Sequence, residues 1–377
     1  MPIIGSFATA CARAFGFLTG LRESIVYTYA GFFGSLSGPN TPFPNKIYGS
    51  DSNTLTTTTD IGWTFAVNSG GASGECGIIV DGLIIATGRA ISTDGGITWT
   101  NIQLSGGNGF GGYSYTGTNS AYAEGLIAYN PTSKLMGRIS SGNNPDYPYV
   151  NYCYFTLWDL QTKTLVNSVF LGSIGPDSIV YSAPQNYFII RGYNYSSTIY
   201  YMNGTTGTSV GTGGSQFTVP AGAHPTLGYL FYVYAPPAYV FGVYQGARIS
   251  ATADPAASYT DLGPNNLYSG TMGKPVWCPV NNKWFRSVSS GGALQIWSSP
   301  TGAQWTYLAQ PLYWGYVAST PVIKETSAGV LYLSGLGYTD PGGSPSYSGW
   351  SKSSNGGVTW DTPVYGQFSS VTNNLNP

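Results

Sequence analysis

The chain has 377 residues, 14 Lys plus Arg against 15 Asp plus Glu, and one histidine; only 8% of its positions are charged, against about 25% in an ordinary globular chain. Such sparse positive charge excludes nucleic-acid binding through phosphate neutralisation, and no stretch of apolar residues is long enough for a membrane-spanning helix. With 42% hydrophobic and 15% aromatic residues the chain has the means to fold, and its 53 glycines and 31 tyrosines favour strands and turns.

From the amino terminus, MPIIGSFATACARAFGFLTG lacks the basic start and unbroken apolar run of a secretory leader. Residues 1–49 therefore read as an anchoring arm, with Ile3, Ile4, Phe7, Phe15, Phe17 and Leu18 too apolar to remain in water without a partner. Residues 50–377 read as one repeating all-β domain.

In that domain one local pattern recurs: Ser or Thr, then Asp or Asn two residues on, Gly two further, and an aromatic three beyond. Ser92-Thr93-Asp94-Gly95-Gly96-Ile97-Thr98-Trp99 and Ser353-Ser354-Asn355-Gly356-Gly357-Val358-Thr359-Trp360 are the strong copies. Degenerate copies span Thr56 to Trp63, Val210 to Phe217, Thr252 to Tyr259 and Ser298 to Trp305. Asp94 or Asn355 can accept amide hydrogen bonds and close an Asx-type turn, glycines supply positive φ, and the aromatic anchors the next strand. Trp158, before the hairpin sequence DLQTKTLV, fills the one long gap. The anchors then recur about every 50 residues, the length of a four-stranded unit. Strands are expected in 77–88, 178–194, 229–245, 275–290 and 330–338, several as apolar strand, polar or Pro-containing turn, apolar strand. The expected fold is all-β: a β-propeller of six to eight blades, seven by the anchor count, with the segment near Leu55–Phe65 completing the blade built around Trp360.

S-x-D-x-G-x-x-W resembles the Asp-box, or BNR, repeat of sialidase-like β-propellers. In that family the motif sits on the hairpin between the last two strands of a blade and is structural. Sialidases also use an arginine trio and a Tyr–Glu pair; Arg191, Arg248 and Arg286 fall in successive units here, but glutamates are only Glu23, Glu75, Glu124 and Glu325. Stacking of these arginines on tyrosines between blades is the competing reading.

Other chemistry is sparse. His224 lies in AGAHPTLGY, a loop-like context, with no G-x-S-x-G elsewhere. Asp94 and Asp254 have no D-x-D-x-D neighbourhood for calcium. Cys11, Cys76, Cys153 and Cys278 are too far apart for a zinc knuckle or a redox C-x-x-C, and read as isolated thiols. No catalytic, cofactor-binding or metal residue is assigned, and no cofactor is expected. Tyrosine clusters at 108–117, 147–155 and 191–202 have the composition of a carbohydrate or protein recognition surface.

The start MPIIGS, with ARAFGF after it, resembles the leader of tailed-bacteriophage structural proteins, whose surface components are also charge-poor and rich in Gly, Ser, Thr and Tyr. The resemblance implies a non-enzymatic virion protein, a tail or capsid-surface component serving assembly or host attachment. Its partners would be other virion proteins through the arm, a host glycan or receptor, and further copies of itself. A sialidase-like glycan hydrolase and a secreted carbohydrate-binding propeller are the alternatives.

Overall fold

The computed structural model describes residues 26–29, 45–50, 59–65, 79–86, 90–94, 98, 100–102, 127–143, 151–172, 175–193, 198–214, 218–233, 246–250, 259–264, 266, 271–272, 275–290, 293–312, 322–326, 328–338, 347–362, 364–365 and 370–373. Every described element is a strand, and among the described residues the strands form seven antiparallel sheets, five of them built from four consecutive strands.

Three strands come first: β1 (Val26–Tyr29), β2 (Asn45–Ser50) and β3 (Thr59–Phe65). The second sheet holds β4 (Ile79–Asp81), β5 (Ile84–Ala86), β6 (Ala90–Ser92) and β7 (Thr100–Asn101). The third is β8 (Ile127–Asn130), β9 (Leu135–Asn143), β10 (Asn151–Asp159) and β11 (Thr164–Gly172). The fourth is β12 (Gly175–Ser182), β13 (Tyr187–Tyr193), β14 (Thr198–Asn203) and β15 (Ser209–Gly214). The fifth is β16 (Thr218–His224), β17 (Gly228–Val233), β18 (Gly246–Ser250) and β19 (Thr260–Gly263).

In the sixth sheet the first strand is broken in two. β20 (Thr271–Met272) and β21 (Val276–Cys278) both pair with β22 (Lys283–Ser290), followed by β23 (Ala293–Ser299) and β24 (Thr306–Leu312). The seventh holds β25 (Val322–Glu325), β26 (Leu331–Tyr338), β27 (Tyr347–Ser353) and β28 (Val364–Tyr365). The last strand, β29 (Ser370–Asn373), returns to the amino-terminal strands and pairs with β1, Thr28 lying opposite Val371.

This arrangement is propeller-like. The first strands of successive sheets lie side by side: β8 beside β12, β12 beside β16, β16 beside β21, β21 beside β25, β25 beside β29 and β29 beside β4. Five of these seams are filled by apolar clusters, one to each. Ile91, Met136 and Trp158 fill the one between the second and third sheets, and Leu157, Phe188 and Met202 the next. Tyr201 with Phe231, Leu230 with Trp305, and Phe285 with Leu333 fill the following three. A four-stranded sheet cannot cover both its faces, so stacking on two neighbours is how each buries its apolar side chains.

Two expectations change. The sheet around Trp360 is complete in itself as β25 to β28; of Leu55–Phe65, the described Thr59–Phe65 belongs instead to the sheet of β1 to β3, whose fourth strand is β29. Four residues at the carboxyl end thus do the joining, because the amino-terminal segment already supplies three strands. In residues 1–49, Val26–Tyr29 and the part of Asn45–Ser50 that falls there belong to that sheet, while residues 1–25 and 30–44 lie outside the described residues. Of 229–245, the structure describes β17, and 234–245 lie outside the described residues.

Candidate functional site

The described polar chemistry concentrates at one end of the sheets, where the turn between first and second strands recurs. Pro131, Pro184, Pro225 and Pro279 enter these turns, and Lys134, Asn186, Gly228 and Asn282 leave them with positive φ. Proline fixes the entry and a left-handed residue reverses the chain. Asn130 Oδ1 accepts from the amides of Thr132 and Ser133 at 3.1 and 3.3 Å. In the equivalent place His224 Nδ1 accepts from Thr226 and Leu227 at 3.2 and 3.1 Å.

The same residues bind neighbouring sheets together. Asp81 takes the Tyr129 hydroxyl and pairs with Lys134 Nζ at 2.5 Å. Burial, and then the Asp81 carboxylate, push the Tyr129 phenol well above its usual range, so it stays a donor. Asn130 Nδ2 donates to Asn186 Oδ1 and to the Gly204 carbonyl at 3.1 and 3.0 Å. The hydroxyls of Tyr201 and Tyr229 meet at 3.1 Å. The His224 ring lies 4.2 Å from that of Trp277, and burial lowers its pKa from the ordinary 6.5. Glu325 accepts the amides of Val280 and Asn281, each at 2.8 Å, and the Asn281 side-chain amide. His224 is therefore a half-buried, turn-closing acceptor at the end of β16, its ring tilted against Trp277 of the next sheet, where a loop residue was expected.

The turns between third and fourth strands lie at the same end. In the second sheet Asp94 accepts from the Thr98 amide at 2.9 Å and from Ser92 Oγ at 2.8 Å. In the seventh Asn355 Oδ1 accepts from the Thr359 amide at 2.9 Å, and Trp360 Nε1 donates to the Gly357 carbonyl at 3.0 Å. The sixth repeats the indole contact, Trp305 to Gly302 at 3.1 Å; Ser299 Oγ, one residue later in the pattern, accepts the Gly302 amide. Trp99 lies outside the described residues.

Two degenerate copies do not make such turns. Val210 to Gly214 belong to β15, and the turn of that sheet is Asn203 to Thr208, where Asn203 Oδ1 takes the amides of Thr205 and Thr206 and Gly207 has φ 67°. Thr59 to Trp63 belong to β3. The third sheet matches the fourth: Asp159 Oδ1 takes Gln161 and Thr162, and Lys163 has φ 60°. Most of the Thr252 to Tyr259 copy lies outside the described residues, and Tyr259 itself is exposed. The hairpin D-L-Q-T-K-T-L-V and the Pro-containing turns of 178–194 and 275–290 were legible in the sequence; the matching M-N-G-T-T-G-T turn was not, because it carries no terminal aromatic.

The groups considered for catalysis are engaged elsewhere or dispersed. Arg286 is buried, its guanidinium 5.4 Å from the Tyr232 ring centre and 6.0 Å from that of Trp305, which is the inter-sheet stacking reading. Burial pushes the Tyr232 phenol up to about 12, and the nearby Arg286 charge offsets part of this. Arg191 and Arg248 sit on β13 and β18, a second and a third strand, so the three arginines do not occupy one equivalent position. Cys153 and Cys278 are free and buried, with burial holding both thiols protonated; Cys11 and Cys76 lie outside the described residues. Among the described residues no group of three His, Cys, Asp or Glu side chains could hold a metal. Asp254 lies outside them.

Of the tyrosine clusters, the described members largely serve the packing. Tyr154 and Tyr201 are buried, and Tyr200 donates to the Leu171 carbonyl at 2.8 Å. The cluster 108–117 and residues 147–150 lie outside the described residues. Antiparallel alternation nevertheless fixes which strand ends they join: β7 to β8, β9 to β10 and β13 to β14 connect at the end opposite the interlocked turns. At one end of the sheets the described turns are taken up by structural hydrogen bonds; at the other, β7, β9 and β13 end and β8, β10 and β14 begin.

No known protein family matches this sequence, and no curated protein matches it. Solved structures give low-scoring likenesses. The WD40 repeats of RRP9 are 11% identical over 68% of this chain and 85% of that one, with a TM-score of 0.39. TolB from Acinetobacter baumannii is 16% identical over 77% and 65%, with a TM-score of 0.38. A eukaryotic initiation factor is 9% identical over 91% and 74%, with a TM-score of 0.40.

Proposed function

We propose that this chain is a non-enzymatic structural protein of a tailed-bacteriophage virion, a tail or capsid-surface component mounted by its amino-terminal arm. Its seven sheets close into one seven-bladed propeller, β29 acting as the innermost strand of the blade begun by β1 to β3. The ring reading is supported by the side-by-side order of first strands, in which β29 lies between β25 and β4. The role rests on the leader-like MPIIGS and ARAFGF and on a composition with only 8% charged residues.

In this reading the end bearing the aromatic-rich connections faces outward and meets a host glycan or a neighbouring virion protein. Flat rings cover apolar area there while Asn, Ser and Gly neighbours hydrogen-bond. A sialidase-like hydrolase is the second reading, favoured by the turns at Asp94 and Asn355. It requires arginines free to clamp a carboxylate, whereas Arg286 is stacked between Tyr232 and Trp305.

The deciding experiment is antibody labelling of purified particles, paired with incubation of the isolated protein with sialylated glycans. Labelling of the particle surface without release of sugar is expected. Catalytic release of a monosaccharide would transfer the assignment to the hydrolase.

A further inference from the structure

An asparagine followed by glycine invites attack of the glycine nitrogen on the asparagine side-chain carbonyl, since no Cβ hinders the approach. The chain has three such dipeptides, Asn108-Gly109, Asn203-Gly204 and Asn355-Gly356. The first lies outside the described residues. The others occupy the turns between third and fourth strands of the fourth and seventh sheets.

Their side-chain carbonyls are matched. Asn203 Oδ1 accepts the amides of Thr205 and Thr206, each at 2.9 Å. Asn355 Oδ1 accepts the Thr359 amide at 2.9 Å and the Ser353 hydroxyl at 3.0 Å. Two donors on a carbonyl oxygen stabilise the negative charge that builds there during attack, as in an oxyanion hole. The attacking nitrogens are not matched. Gly204 is buried against Asn186, and its amide donates to the Asn186 carbonyl at 2.7 Å. The Gly356 amide has no hydrogen-bond acceptor among the described residues, and Asn355 is exposed to water.

We propose that Asn355 is a site of spontaneous deamidation, and that Asn203 is held against it. The Gly356 nitrogen bonds to Asn355 Cγ and gives up its proton to water. The Cγ–Nδ2 bond breaks and ammonia leaves; Nδ2 lies 2.7 Å from Thr359 Oγ1, a hydroxyl able to supply the departing proton. One water then opens the cyclic imide. Opening at Cγ leaves aspartate, which this turn accepts: Asp94 Oδ1 holds the equivalent place, taking the Thr98 amide and the Ser92 hydroxyl. Opening at the Asn355 main-chain carbonyl leaves isoaspartate, whose extra main-chain carbon cannot keep the turn. The modification stands independently of the virion role.

The test incubates the full chain in mildly alkaline buffer, native and in urea. Both peptides are followed by mass spectrometry, with isoaspartyl methyltransferase labelling any isoaspartate. In the native protein Asn355 is expected to convert about tenfold faster than Asn203, the rate equivalent of one net hydrogen bond on the attacking nitrogen. In urea the two rates should converge, assigning the difference to the fold. Asn355→Gln should remove the methyl label from its peptide. Equal native rates, a faster Asn203, a difference unchanged in urea, or label that survives Asn355→Gln would each overturn the proposal.

Discussion

Asp94 and Asn355 close equivalent turns with different donors. Asp94 receives both the amide and the hydroxyl of Thr98, while Asn355 receives the Thr359 amide and returns a hydrogen bond from Nδ2 to Thr359 Oγ1 at 2.7 Å. Asp94→Ala should therefore lower stability by about 1–2 kcal/mol in urea unfolding, the scale of lost turn hydrogen bonds. Asn355→Asp should be nearly neutral, because the threonine hydroxyl can turn to donate as Thr98 does. His224 behaves differently. Its Nδ1 accepts two amides, so it must be neutral in the fold, and burial lowers its pKa. Its contribution is fully present above the unfolded value of about 6.5 and is lost as pH falls through the lower folded value. The stability difference between wild type and His224→Ala, measured by urea unfolding at several pH values, should shrink on acidification; a difference constant with pH would refute this role. The first two residues were legible in the sequence because an Asx turn is a local event. His224 was not, because a histidine is not an expected turn-closing acceptor as Asp, Asn, Ser and Thr are, and the Trp277 ring beside it comes from another sheet.

At the scale of the strand and turn, the hairpins at 77–88, 178–194 and 275–290 were legible from apolar runs broken by Gly or Pro. The seams between sheets were not, since they depend on residues far apart in sequence. Gly137 shows this. It sits in β9, and a Cβ there would lie 2.7 Å from the Phe188 ring of the next sheet and 2.9 Å from Phe155. Gly137→Ala should cost about 1–3 kcal/mol by overpacking, read as a lower denaturant midpoint. Nothing in L-M-G-R-I distinguishes this close approach from an ordinary strand glycine. The anchors at Val210 to Phe217 misled for a related reason: β15 tolerates three glycines because it pairs with β14, whose Ile199, Tyr201 and Met202 are buried in the neighbouring seams.

For the whole molecule, the repeat length of about 50 residues implied the four-stranded unit, and seven sheets are present. Where the chain's two ends meet was misjudged, because β1 and β2 carry no aromatic-terminated turn to mark them. The proposed arm makes its own prediction. Removing residues 1–20 should leave the melting temperature nearly unchanged while abolishing incorporation into particles; normal incorporation would move the anchor to the propeller surface. The claim on which the rest depends is that β29 closes the ring against β1. Thr28 and Val371 face one another in that pairing. In the double variant Thr28→Cys, Val371→Cys, oxidation should give a disulfide between these positions, mapped by mass spectrometry. Joining the two ends should add on the order of 5 kcal/mol to stability, seen as a higher melting temperature in the oxidised than in the reduced protein. Introduced thiols that stay free under oxidising conditions, in a chain that still folds, would contradict the closed ring.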